Sequence, residues 1–134
     1  MKHRIRFLSD LHLEFILPNK IKSFISKIPP GIDEICVLAG DIGNPYESNY
    51  NIFMEFISRN FKKGFVIAGN HEYYNKSKTI EETNIFLKDY FKRFNNISFL
   101  DNNHEKYEDL CFIGTTLWSK ITNPIHEIND VKYI

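Results

Sequence analysis

Cysteine is scarce in this chain, and two thiols in 134 residues cannot build a disulfide scaffold. Cys36 and Cys111 each lie within an apolar, strand-like run, so both are expected to be buried free thiols, and a reducing, cytoplasmic setting is the simpler one. An excess of charge is also missing. Lys and Arg together number 17, as do Asp and Glu, so no basic footprint points to nucleic acid or an anionic membrane surface. No apolar run approaches the roughly 20 residues that a bilayer-crossing helix needs, so no membrane span is expected. The opening Met1-Lys2-His3-Arg4 is basic, but Asp10, His12 and Glu14 interrupt the apolar segment behind it, so a secretory signal is not expected. With six glycines and five prolines there is no low-complexity linker, and no internal repeat is visible. What remains, 43% apolar and 25% charged residues, suits one globular domain over residues 1–134 with a sizeable core.

Apolar spacing sets the expected order of elements. Ile21, Phe24, Ile25 and Ile28 recur at helical spacing, and Pro29-Pro30-Gly31 ends that run. Tyr50, Phe53, Met54, Ile57 and Phe61 repeat the pattern, as do Ile80, Thr83, Leu87, Tyr90, Phe91 and Phe94. Between them lie short β-rich runs at residues 5–8, 35–38, 65–68 and 97–100, and a longer one at 110–118. Lys106-Tyr107 can form a further short strand, and Asn102-Asn103 a turn. Strands alternating with amphipathic helices predict an α/β fold with a mostly parallel sheet flanked by helices. The tail, residues 119–134, has no clear periodicity.

Three segments follow the first three strands: Ser9-Asp10-Leu11-His12, Gly40-Asp41-Ile42-Gly43 and Gly69-Asn70-His71-Glu72. Strand ends near glycines are where open α/β sheets place ligands. Asp-x-His in an extended segment presents a carboxylate and an imidazole to one side. A carboxylate between glycines can bridge two cations, or equally cap a turn. An asparagine carbonyl can ligate a hard ion, and Gly-Asn also favours a turn. His71 can donate a proton near neutral pH. Each motif alone has an ordinary structural reading. Together, Asp10, Asp41 and Asn70 stand at nearly equal spacing, at equivalent ends of successive β-α units, and that repetition indicates a centre for divalent metal.

These residues resemble the calcineurin-like metallophosphoesterase superfamily, whose pattern runs Asp-x-His, Gly-Asp, Gly-Asn-His-Asp/Glu and then two further histidine motifs. The matches are Asp10-Leu11-His12, Gly40-Asp41 and Gly69-Asn70-His71-Glu72, and Gly114-Thr115-Thr116-Leu117-Trp118-Ser119 is similar to the strand that follows in cytosolic members. The resemblance implies that Asp10 and His12 bind a first metal, Asp41 bridges two, Asn70 binds the second, and His71 is the catalytic proton donor. It implies divalent Mn, Fe or Zn as cofactor, a phosphate ester as substrate, and two ions in the full family site. The later histidine motifs are absent from this sequence. His104 and His126 have no flanking glycine and read as solvated loop residues, so one ion is expected here. The second sheet of the family is expected to be largely missing, leaving an apolar face that a homo-oligomer would cover.

Three functions are therefore open. The chain is a metal-dependent phosphoesterase, or a truncated, catalytically inactive derivative that keeps partial metal binding or acts as a binding module, or a nucleotide-binding domain without metal. The last has no support from Gly-x-Gly-x-x-Gly or Gly-x-x-x-x-Gly-Lys-Ser/Thr, neither of which occurs.

Overall fold

The computed structural model of the chain describes residues 2–118 and 130–134. Four parallel strands form the main sheet in the order β1 (Ile5–Leu8), β2 (Gly31–Ala39), β3 (Phe61–Ile67), β4 (Ile97–Phe99). Each crossover moves one position along the sheet in the same sense, so its helices gather on a single face. The helices are α1 (Ile21–Ile25), α2 (Ser48–Asn60) and α3 (Ile80–Phe91). Their stripes, including Ile21, Phe53, Ile57 and Leu87, bury against Cys36, Leu38, Val66 and Ile97 from the strands.

Local chemistry explains the element ends. In α3, Thr79 caps the helix: its hydroxyl accepts from the Glu82 amide at 3.1 Å, and the Glu82 carboxylate accepts from the Thr79 amide at 2.8 Å. Helix α1 is shorter than the apolar spacing predicts. It tightens into three-residue turns, with Lys27 N donating to Phe24 O and Ile28 N to Ile25 O, before the two prolines forbid continuation. Ile28 still packs against the core.

The other face of the sheet carries β5 (Asn103–Tyr107) and β6 (Leu110–Gly114), an antiparallel hairpin. The second sheet is thus present as two strands. Phe112 stacks on Phe65 with ring centroids 4.0 Å apart. Lys63, only 8% exposed, reaches from β3 to Glu105 at 2.8 Å and Ser98 at 2.7 Å, with its ammonium 5.0 Å above the Phe65 ring. The expected bare face is therefore half covered. Its uncovered part lies along β1, where Phe7 is 70% exposed.

Three expectations need correction. Cys111 is exposed, because β6 alternates Leu110 and Phe112 inward with Cys111 and Ile113 outward. The run expected to reach Trp118 leaves the ladder at Gly114. His104 is exposed as expected, but it sits in strand β5 opposite Ile113 rather than in a loop. His126 lies outside the described residues. The tail contributes a short helix, α4 (Asp130–Tyr133).

Candidate metal centre

The chain keeps pairing past the ends of β1 and β2. Asp10 N donates to Gly40 O at 3.1 Å, His12 N to Asp41 O at 3.0 Å, and Leu13 N to Ile42 O at 2.9 Å. The two loops are zipped together while no longer extended. Asp10, His12 and Asp41 take left-handed backbone angles, with φ of 52°, 48° and 53°. The same-side argument for Asp-x-His fails here, because these residues lie beyond the last extended residue, Leu8. Left-handed conformations are uncommon for residues with a side chain and concentrate at functional sites.

A third loop, after β3, closes on this pair. Gly40, at φ 89°, lies against Gly69 so closely that a Cβ on Gly40 would come within 2.8 Å of the Gly69 amide nitrogen. Only glycine fits both the angle and the approach. Glu72, 1% exposed, ties the loops from inside. One carboxylate oxygen accepts from Gly69 N at 2.7 Å and Asp41 N at 3.0 Å, and the other from Ile42 N at 2.7 Å and Gly43 N at 3.4 Å. Burial pushes the Glu72 carboxyl up to about 7, while the amides of Ile42 and Gly69 pull it down. On the outer side, the buried Asn49 of α2 donates to Leu13 O and Ile16 O, pinning the loop that carries His12.

These ties bring His12, Asp41 and His71 together. One ligand atom from each lies within 4.8 Å of the others, and all three residues are half-buried. The two imidazole rings meet edge to face at 4.3 Å. One Asp41 oxygen accepts from His71 N at 2.9 Å, so the turn-capping role and the ligand position belong to the same carboxylate. Asp10 is exposed and outside this group. Asn70 faces another way: its amide nitrogen donates to Tyr74 Oη at 2.7 Å and to Asp130 at 2.9 Å. Its carbonyl oxygen makes neither of these bonds. Tyr74 also donates to Asp130 at 2.5 Å, and burial, with that hydrogen bond, pushes its hydroxyl up to about 12.

Glu14, Tyr74 and Asp130 were not marked by the sequence. Glu14 stands two residues after His12, and its carboxylate reaches His71 Nδ1 at 2.8 Å and His12 Nδ1 at 3.4 Å. Two clefts flank the centre. One, of about 390 Å³, runs from Asn70 to Thr116, Trp118 and Asp130. The other, of about 550 Å³, runs past Glu14, His71 and Tyr74.

Across residues 3–134 the chain matches the model of the calcineurin-like phosphoesterase family. The chain belongs to that family. The family is metal-dependent, and its name implies phosphate-ester substrates. The chain is also 38% identical over 126 residues to an uncharacterized protein of Acanthamoeba polyphaga mimivirus. That match covers 88% of this chain and 45% of the relative, so the chain spans less than half of the relative's length. No solved structure matches. Imidazole nitrogen and carboxylate oxygen converging within 4.8 Å form a donor set that fits a borderline divalent ion, as the family requires. Among the described residues, no helix is long and apolar enough to cross a membrane.

Proposed function

We propose that this phosphoesterase domain hydrolyses phosphate esters in the cleft beside Asp41 and His71. The observation that carries the reading is the convergence of His12, Asp41 and His71 on three loops, two zipped together past their strands and the third tied to them by Glu72. In this reading Asp10 and His12 hold a first ion, and Asp41 shares its carboxylate with a second. Asn70 offers that second ion its carbonyl oxygen, with its amide held by Tyr74 and Asp130. Bound divalent ions supply charge neutralisation on the phosphoryl oxygens and a water of lowered pKa. His71 donates a proton to the departing alkoxide or phenoxide oxygen. Asp41 orients that residue by accepting from the His71 amide. Half-burial of all three side chains makes each of these interactions stronger than it would be in open water.

Asp10, exposed and outside the convergent group, has to turn toward the first ion in order to ligate it. Mn, Fe and Zn all suit the mixed donors. A second reading, metal binding without turnover, draws on Asp10 standing outside the convergent group, which leaves the first ion His12 and Asp41. The cytoplasm is the proposed setting, and a second copy of the chain is the proposed cover for the exposed Phe7 edge; sedimentation tests the latter.

The test is hydrolysis of aryl phosphate mono- and diesters with added Mn²⁺ against chelator. Turnover that needs metal and vanishes in Asp41→Asn supports the reading. Metal-dependent turnover that survives Asp41→Asn overturns these roles, and a folded, metal-binding protein with no turnover selects the second reading.

A further inference from the structure

Glu14 and Glu72 are the two glutamates packed into the loops of the centre, and they are used in opposite ways. Glu72 accepts from four backbone amides, so both of its oxygens are engaged. Glu14 accepts from no backbone amide among the described residues. One oxygen meets two imidazoles, at 2.8 Å from His71 Nδ1 and 3.4 Å from His12 Nδ1. The other, Oε2, is buried with no hydrogen-bond partner among the described residues. Its side chain is 15% exposed, and Gly43 leaves it room: a Cβ there would stand 3.3 Å from Oε2. A carboxylate kept this dry with an idle oxygen costs stability and satisfies none of the fold's own amides.

We infer that Glu14 is a positioning residue shared by His71 and His12. By accepting at Nδ1, it selects for each ring the form that carries its hydrogen there. Nε2 is then the nitrogen left to act: at His12 toward metal, at His71 toward the leaving oxygen. Ligating histidines commonly have their second nitrogen fixed in this manner by a carboxylate. Here one carboxylate serves a ligand and a proton donor together, across two rings that meet edge to face at 4.3 Å. The free imidazole prefers its hydrogen on Nε2, so the effect of Glu14 is visible without any reaction. This inference rests on the phosphoesterase reading only for what the free Nε2 of His71 does.

The experiment uses the whole chain, metal-free and labelled with ¹⁵N at histidine. Long-range nitrogen–proton spectra at mildly alkaline pH report which ring nitrogen of His71 carries the hydrogen. Glu14→Met fills the same space without a strong acceptor, and Glu14→Gln keeps an acceptor oxygen. We expect the Nδ1–H form of His71 in the native chain and in Glu14→Gln, and a shift to the Nε2–H form in Glu14→Met. An Nδ1–H form that persists undiminished in Glu14→Met overturns the inference, whatever the activity. In the metal-loaded chain, kcat is expected to fall about 10- to 100-fold in Glu14→Met, with KM little changed and kcat largely restored in Glu14→Gln. A tautomer shift in a chain without turnover in any form sustains the positioning role while the phosphoesterase reading fails.

Discussion

Gly69→Ala is the substitution that should injure the centre most for its size. A Cβ at this position would stand 2.2 Å from Asp41 Oδ1, 2.6 Å from Asp41 N and 2.9 Å from Asp41 Cγ. Ordinary contact begins near 3.4 Å, so the carboxylate oxygen must retreat by more than an ångström. Two of the three blocking atoms cannot swing away. The amide nitrogen is backbone and is held by Glu72 at 3.0 Å; the Asp41 Oδ1 oxygen is held by the His71 amide at 2.9 Å. Either the Asp41–His71 bond breaks or the Asp41 loop separates from the Gly69 loop. Overpacking of this kind costs about 1–3 kcal/mol, and a lost hydrogen bond about 1 kcal/mol more. For a domain of this length that is a fall in Tm of roughly 5 to 15 °C. On the role proposed for Asp41, displacing its oxygen this far should weaken divalent-metal binding by about 10- to 100-fold, the loss typical when a ligand's support is removed. Differential scanning calorimetry of the metal-free chain and isothermal titration with Mn²⁺ measure the two effects separately. A variant indistinguishable from the native chain in both Tm and metal affinity would refute the close approach of these loops.

Other outcomes follow from packing and charge. Phe53, fully buried on the inner face of α2, should cost about 3–5 kcal/mol as Phe53→Ala in chemical denaturation. Thr79→Ala removes the cap of α3 and should cost about 1 kcal/mol, with Thr79→Asp recovering most of it. A thiol reagent should modify Cys111 promptly in the native chain and spare Cys36, whose thiol burial pushes up to about 12. In acid, the hairpin should loosen first. Burial pushes the Glu105 carboxyl up, but bonds from Lys63 and Ser98 outweigh it and hold it below its ordinary value; the His3 hydrogen bond does the same for Asp109. A folded pKa below the unfolded one stabilises above the unfolded value and is lost as pH falls through the folded value. Protection of the β5 and β6 amides from hydrogen exchange, relative to the unfolded chain at the same pH, should therefore fall below about pH 4, near the ordinary carboxylate value, and Glu105→Gln should flatten that dependence.

Much of the architecture was legible from period alone. The apolar stripes of α2 and α3 and the first four strands lie near where spacing puts them, because local burial on one face imposes those periods, but Phe61, expected to end the second helix, opens β3, and Phe94 lies beyond α3. Of the expected site residues, His12, Asp41 and His71 come together, while Asp10 lies outside that group. The backbone turn that aims them was not legible. Left-handed angles at Asp10, His12 and Asp41 come from pairing between loops that are distant in the chain, and no local pattern encodes that. Glu14 was invisible for the same reason: its two imidazole partners meet only after three loops have closed. Asp130 sits in a tail without periodicity, so its approach to Asn70 and Tyr74 has no local signal. Cys111 was misplaced because its neighbours are apolar on both faces of β6, which hides the alternation.

Three left-handed residues in one small centre also leave a mark on how the sequence can drift. Each holds a backbone shape that glycine would adopt with about 1 kcal/mol less strain. Against a total stability of about 5–15 kcal/mol, that is a standing incentive to abandon the side chains. Asp10→Gly, His12→Gly and Asp41→Gly should each relieve local strain, and a lineage released from the need for chemistry would be free to accumulate them. Asp, His and Asp at these three addresses are therefore held at a cost in backbone strain that glycine would avoid.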